Sequence, residues 1–539
     1  MGGSARVGLS QEPESLFPGL QSMAAAADVL APLTARPVHY DARGRPRPRL
    51  LRRIPAPGRG WEATADGGMC ITYHWRSGYR WHDGRPVTAD DAAWAWRLRL
   101  DPRVKVADSR WYDPQIADMR APGPHTLVVT WRRRLATANH YYLVLPRHIL
   151  EPEYQRDPAS FHLGGFGRHP VTYGPYRFLA WLPGERIDLA AVPDFCEGRA
   201  TLDRLSFHFI PDPARMAEAL LGGNIDVIAT NNLTLDQAAA LAREGRGRVD
   251  VHFTPSMAVE HLDFNLDHPH LRRREVRQAL AAAIDRARVV AAATGGQGTV
   301  AESWLPANHR AHRPQRILGG DARRAAELLQ GCGFSRQDGL ARGDGFAHQD
   351  GLAHQGPAWV DPAGQPLRLA LTTTRGDPAR ERAAAELCRQ WGEFGVAVDL
   401  RLDEPRRVFG EFLPRRDFDL ALYAWLMHPE TIGRGAWHSS QVPGPENGFS
   451  GHNFAGWRDG EVDSLFERAE EEFAERRRIE LLWRQQELFA RDLPSLPLYH
   501  RVEVSAHREG LLNFRPGGSS VTPVTWNAHR WRWRRGGGA

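Results

Sequence analysis

The sequence predicts an α/β protein of two lobes, with a β-rich extra region added near the N-terminus. Three observations carry this. At 539 residues the chain is too long for one hydrophobic core. Strand, helix and strand patterns alternate through residues 204–229 and again through 367–425, the order that builds parallel sheet. Between residues 71 and 132, alternating strand patterns instead dominate around a single helix.

Each element has a local cause. Residues 5–9 (ARVGL) read as a short strand before the turn-rich segment 11–15. Residues 23–35 are helical until Pro32, which removes a backbone donor. Pro, Gly and Arg crowd residues 44–60, as in a connector. Residues 71–76 alternate as a half-buried strand, and His82-Asp83-Gly84 makes a tight turn. Thr88 is placed to cap the helix that follows, with Asp90 and Asp91 in its first turn. Residues 125–132 form a strand, and 174–192 form two strands joined at Pro183-Gly184. After the strand 204–210, Asp212-Pro213 starts a helix that Gly222-Gly223 ends, and IDVIA is the next strand.

The spacing of Val276, Leu280, Ile284 and Val289 predicts one amphipathic helix over 275–293. A second helix spans 321–331, closed by Gly331. Residues 338–355 carry a six-residue repeat (DGLARG, DGFAHQ, DGLAHQ) too poor in apolar residues to build a core. It reads as a duplicated surface loop. Its acids Asp338, Asp344 and Asp350 and its histidines His348 and His354 match no calcium-loop or zinc spacing. Then come a strand (367–374), a helix (378–394) and strands at 396–402 and 419–425. Residues 461–492 are largely helical, LYHRVEVSAHR (498–508) reads as a strand pair, and the tail RRGGGA is predicted to be disordered.

Composition narrows the function. Hydrophobic residues make up 42% and charged residues 25%, as in ordinary soluble proteins. No run of about 18 apolar residues is present, so nothing here reads as a membrane-spanning helix. The formal charge is +6, Lys105 is the only lysine, and the arginines are spread along the chain, many near acids. A nucleic-acid binder concentrates such charge in a patch or tail, so no nucleic-acid partner is expected. Cys70, Cys196, Cys332 and Cys388 are far apart with no CxxC pair, and read as ordinary thiols. No metal and no cofactor are expected. An enzyme would need a reaction centre, but no GxSxG, HExxH, P-loop or GxGxxG stands at a strand–helix junction, and Gly448-Phe449-Ser450-Gly451 lacks the elbow spacing. The opening MGGSARVGLSQEPESLFPGL has no basic, apolar and small-residue arrangement of a secretory leader. Either a leader has been removed or mis-assigned, or the protein stays inside the cell.

Nine segments, in order over nearly the whole chain, resemble the family 5 extracellular solute-binding proteins, the dipeptide- and oligopeptide-binding group. They are QEPESLFP (11–18), YHWRSGYRWHDGRPVTADDAAWAW (73–96), PVTYGPYRFLAWLPGERIDL (170–189), LDRLSFHFIPDPARMAEALLGGNIDV (202–227) and LDFNLDHPHLRRREVRQALAAAIDRARVV (262–290). ARRAAELLQGCGF (322–334), FDLALYAW (418–425), NFAGWRDGEVDSL (453–465) and LPSLPLYHR (493–501) complete the series. The resemblance implies a type II periplasmic-binding-protein fold, with 1–43 and 169–257 in lobe I, 44–168 as an inserted extra domain, 258–480 as lobe II, and 481–535 returning to lobe I. It also implies a non-enzymatic, periplasmic or cell-surface protein that captures a peptide or peptide-like solute between its lobes and presents it to an ABC-transporter permease. The chain is expected to work as a monomer.

In peptide binders of this group, an acid shortly after the Trp that ends the 419–425 strand commonly pairs with the peptide's amino terminus. Here the segment runs Tyr423-Ala424-Trp425-Leu426-Met427-His428-Pro429-Glu430, so His428 stands at that position and Glu430 is the nearest acid. A buried ammonium needs a charge partner, which histidine does not supply. Three outcomes follow: Glu430 substitutes, another acid such as Glu14 serves, or the ligand has no free amino terminus. Tyr423, Trp425 and Trp437 are candidate ligand contacts, as are Glu14, Ser15, Tyr173 and Asn265, each with packing, capping or a solvated turn as its plainer role. Two other readings stand beside a peptide cargo: an opine, oligosaccharide or metal-chelate binder, and a cytoplasmic ligand sensor with the same fold.

Overall fold

A computed structural model describes residues 2–19, 23–41, 45–104, 115–138, 143–337, 357–517 and 522–534. The 338–355 repeat with its acids and histidines, Lys105 and the last five residues lie outside the described residues. The chain forms two compact units, Met1–Thr254 with Glu503–Ala539, and Pro255–Val502.

In the first unit, β1 (Ser4–Leu9) is followed by α1 (Ala24–Leu33), which carries Pro32 in its last turn. A separate sheet then holds the two-residue strand Ala56–Pro57, β2 (Gly60–Ala63), β3 (Met69–His74), β4 (Ile116–Gly123) and β5 (Thr126–Trp131), with β5 between β3 and β4. This is the β-rich region read from the sequence. The turn at 82–84 closes with the Gly84 N–H donating to Trp81 O at 2.8 Å, and Gly84 takes φ +92°, a conformation that suits glycine. The helix α2 (Ala89–Leu100) begins where the Thr88 N–H donates to Asp91 Oδ2 at 2.8 Å.

The remaining strands of this unit are β6 (Tyr176–Leu182), β7 (Arg186–Ala191), β8 (Arg204–Phe209) and β9 (Val227–Ile228). Strands β8 and β9 flank β1, both parallel to it, so α3 (Pro213–Leu221) is the crossover of a βαβ unit. Asp212 starts that helix by accepting from the Ala214 and Arg215 N–H groups at 2.8 and 3.2 Å. Val7, Leu205, Phe207, Ile187, Tyr176 and Trp531 form the core around this sheet.

The second unit takes up the long strand β10 (Val249–Phe264) from Pro255 onward. Two helices follow, α4 (Arg274–Ala282) and α5 (Arg286–Thr294), where the apolar spacing predicts one. Asp285 is the cause. Its carboxylate accepts from the Ala287 and Arg288 N–H groups at 3.0 and 3.2 Å, capping a second helix instead of continuing the first. After α6 (Ala322–Gly331), strand β11 (Arg368–Thr374), helix α7 (Pro378–Phe394), strand β12 (Ala397–Asp403) and strand β13 (Leu420–Leu426) build the α/β part of this unit. In it β11 runs parallel to β12 and β13, while β10 pairs antiparallel with β13. Phe264, Leu280, Trp359, Leu371 and Trp391 lie in its core.

Residues 461–492 resolve into α8 (Gly460–Glu471) and α9 (Glu475–Asp492). The chain returns to the first unit at Glu503 and not near 481, because Leu482, Leu488 and Phe489 of α9 pack with Trp304 and Trp437 of the second unit. The expected pair of late strands is one continuous strand, β14 (Ser495–Arg508). Nothing in YHRVEVSA supplies the Gly, Asn or Pro that a reversal would need.

Candidate functional site

The strand end that carries Tyr423 and Trp425 is organised by cross-strand pairing. His261 lies opposite Tyr423, Val259 opposite Trp425, and Asp263 opposite Ala421. In an antiparallel pair, opposite residues share a face. One face of β10 and β13 therefore presents Asp263, His261, Tyr423 and Trp425, while Leu262, Phe264, Leu420 and Leu422 go to the core on the other.

The first part of that face is buried and hydrogen-bonded within itself. The Tyr423 hydroxyl donates to Asp263 Oδ2 at 2.5 Å. His261 Nδ1 donates to Val259 O at 3.1 Å, and its Nε2 lies 3.5 Å from Asp263 Oδ1. Burial raises the Asp263 carboxyl and holds the Tyr423 hydroxyl well above its usual range. The His261 and Tyr423 rings meet edge to face at 4.4 Å. Trp425 is half-buried at the outer end, stacked with Phe454 at 6.1 Å and edge-on to His452 at 5.4 Å. Leu426, the next residue, is 56% exposed. On the face shared with His261 and Tyr423, the strand thus passes from a buried polar cluster to the half-buried Trp425.

The segment beyond the strand is differently committed. The His428 N–H donates to Thr431 Oγ1 at 2.9 Å, and its ring Nδ1 accepts from the Glu430 N–H at 3.2 Å. Glu430 is buried, and its carboxylate accepts from Arg310, which also pairs with Glu475. Burial raises the Glu430 carboxyl, while Arg310 and Arg478 pull it down.

Of the other residues singled out from the sequence, Trp437 and Asn265 lie in the second unit and three lie in the first. Trp437 is 2% exposed and packs edge-on against Phe489 at 4.9 Å, inside the core of the second unit. Asn265 has its amide fully engaged: its NH2 donates to Arg416 O and Phe418 O at 3.1 and 2.8 Å, and its Oδ1 accepts from the Asp267 N–H at 3.1 Å. Tyr173, Glu14 and Ser15 belong to the first unit. Tyr173 is buried edge-on to Trp81 at 4.9 Å, Glu14 is exposed, and Ser15 Oγ accepts from the Phe17 N–H at 3.1 Å, a turn role. Sequence reasoning missed His261, Asp263, His452 and Phe454. The period-2 spacing of His261 and Asp263 within HLDF was the available signal for the first two.

A family model described as bacterial extracellular solute-binding proteins, family 5 Middle, matches residues 52–434. The chain belongs to that family. As a family 5 protein it captures solutes and does not convert them. It is similar to the oligopeptide-binding protein AppA of Bacillus subtilis (strain 168), 24% identical over 465 residues, or 84% of this chain and 79% of that protein. It is also similar to Di/tripeptide-binding protein 2 of Pseudomonas aeruginosa (strain UCBPP-PA14), 22% identical over 483 residues, or 86% and 84%. The solved structure of Bacillus subtilis AppA in complex with a nonapeptide superposes with a TM-score of 0.72 at 20% identity, covering 99% of both chains. NikZ from Campylobacter jejuni in complex with Ni(L-His) superposes with a TM-score of 0.71 at 20% identity, covering 98% and 99%. These superpositions show that this chain shares the fold of those proteins. No helix among the described residues is long and apolar enough to cross a membrane, and none of them form a group of three or more His, Cys, Asp or Glu placed to hold a metal ion.

Proposed function

We propose that this chain is the solute-capturing component of an ABC-type importer, that it works outside the cytoplasmic membrane as a monomer, and that its cargo is a peptide-like solute without a free amino terminus. Membership of family 5 and the similarity to oligopeptide- and di/tripeptide-binding proteins support the first part. A membrane permease is then the partner that receives the solute. Trp425 supplies apolar contact for the cargo.

One observation carries the choice of cargo. The carboxylate of Glu430, the acid nearest the position where His428 stands, is already the partner of Arg310. An incoming ammonium would have to compete with a guanidinium for a buried carboxylate and would meet the His428 ring beside it. A blocked terminus avoids both costs.

The test is a thermal-shift series on matched peptides of the same sequence, with free and with N-acetylated termini, alongside Ni(L-His), an opine and an oligosaccharide. A solute at about 100 times its Kd adds about 2.7 kcal/mol of stability, enough to raise Tm by several degrees. Blocked peptides are expected to raise Tm more than their free twins. Tighter binding of the free-amino series would overturn the cargo assignment, and no response to any peptide would overturn the peptide reading.

A further inference from the structure

A cavity of about 1560 Å³ lies within the first unit, walled by Gly2 and Gly3, residues 47–49, the 196–201 loop, residues 512–515 and residues 522–534. Nine arginines line it against two carboxylates, Asp41 and Glu197. The chain as a whole is close to balanced, with 70 basic and 64 acidic residues, so the cavity is a strong local excess of positive charge. Both of its carboxylates are already paired with arginines, Arg47 with Asp41 at 3.1 Å and Arg49 with Glu197 at 3.0 Å.

The last segment explains how the charge is gathered. Residues 530–534 read Arg-Trp-Arg-Trp-Arg. The extended pair Arg532–Trp533 lies against Leu511–Leu512, and the Arg534 N–H donates to Gly510 O at 2.9 Å. Trp531 is buried in the core, Trp533 Nε1 donates to Ser4 O at 2.9 Å, and Arg530, Arg532 and Arg534 are left exposed at the cavity wall. Together with Arg515 they make no ion pair with a carboxylate among the described residues. Two imidazoles stand in the same wall. Burial first, and then nearby arginines, push His39 down to about 4 and His529 down to about 3.

We propose that this cavity binds a free, multivalent phosphate-bearing anion through the guanidinium groups of Arg515, Arg530, Arg532 and Arg534. Each guanidinium is a planar fork of donors that meets two phosphate oxygens at once. Crowded like charges repel, and an anion placed among them relieves that repulsion. The volume exceeds what one phosphate fills, so linked phosphates suit it better than a single one.

Inorganic tripolyphosphate titrated calorimetrically into the full chain is the probe. Saturable binding is expected, weakening from low to high salt. The double variant R530Q/R532Q is expected to lose about 10-fold or more in affinity. Both residues are exposed, so Tm and far-ultraviolet dichroism should stay unchanged. R476Q removes an arginine whose side chain is 93% exposed on α9, and should leave affinity unchanged. A second readout follows the imidazoles of His39 and His529 by NMR, whose titration midpoints should rise when the anion is bound. Absence of saturable binding, equal loss in R476Q, or wild-type affinity in the double variant would overturn the proposal. So would binding to phosphatidylglycerol vesicles without binding to tripolyphosphate, which would make the site a lipid contact.

Discussion

Arg310 holds the buried carboxylate of Glu430 and, with its other terminal nitrogen, the exposed carboxylate of Glu475. Glu430 is therefore a structural ion-pair partner before it is anything else. Changing Glu430 to Gln should cost about 2 kcal/mol in urea-induced unfolding. That is below the ~3–5 kcal/mol of a fully broken buried pair, because Arg310 keeps Glu475. Affinity for the cargo should change less than about threefold. If E430Q lowered affinity by tenfold or more at modest cost in stability, the carboxylate would be contacting ligand and the cargo assignment would fail.

The two tryptophans picked out from the sequence should separate cleanly. Trp437 is buried against Phe489 and Trp304, so W437A should destabilise by about 3–5 kcal/mol. Trp425 is half-buried at the strand end, so W425A should cost less stability and more ligand affinity. The paired measurement is a urea midpoint and a ligand titration for each variant. Loss of affinity in W437A at unchanged stability, or no loss in W425A, would reverse their roles.

Much of the architecture was legible because its causes are local. The Asp212-Pro213 start, the Gly84 turn and the alternation through 204–209 are written in a few adjacent residues. The misreadings have local causes too, but ones that compete. The stripe of Val276, Leu280 and Ile284 is real and buried, yet an aspartate in the same run offered the backbone a better partner. The site was less legible, since its selection depends on distant pairings. Only the β10–β13 register puts His261 beside Tyr423, and only the fold engages the Asn265 amide with Arg416 and Phe418. The arginines look evenly spread along the sequence. Their convergence in one cavity wall joins residues up to about 500 positions apart, which no window on the sequence spans.

The break between α4 and α5 gives a direct test of that competition. D285A removes the acceptor for the Ala287 and Arg288 N–H groups. The loss of such a cap costs about 1 kcal/mol, readable as a shift in the urea midpoint with an unchanged slope. A stabilised variant would mean that the continuous helix is the better structure and that Asp285 interrupts it for another reason.

Asp28 should make the first unit's stability depend on pH. Its carboxylate is buried in α1, and Oδ1 accepts from the Val524 N–H at 2.9 Å, tying the helix to the C-terminal segment. Burial raises its pKa from 3.8 to about 7, although the Val524 and Thr525 backbone groups pull the other way. The folded state therefore holds a proton that the unfolded state releases above about pH 4. The stability that Asp28 contributes is fully present below about pH 4 and is lost as pH rises through about 7. In D28N the amide oxygen can still accept from Val524, and nothing at this position ionises. Urea unfolding of the two proteins from pH 4 to pH 8 should show D28N gaining on the wild type as pH rises, by on the order of 3–4 kcal/mol at the upper end. Parallel curves across that range would mean that Asp28 keeps an ordinary carboxylate pKa and that its burial is relieved by water.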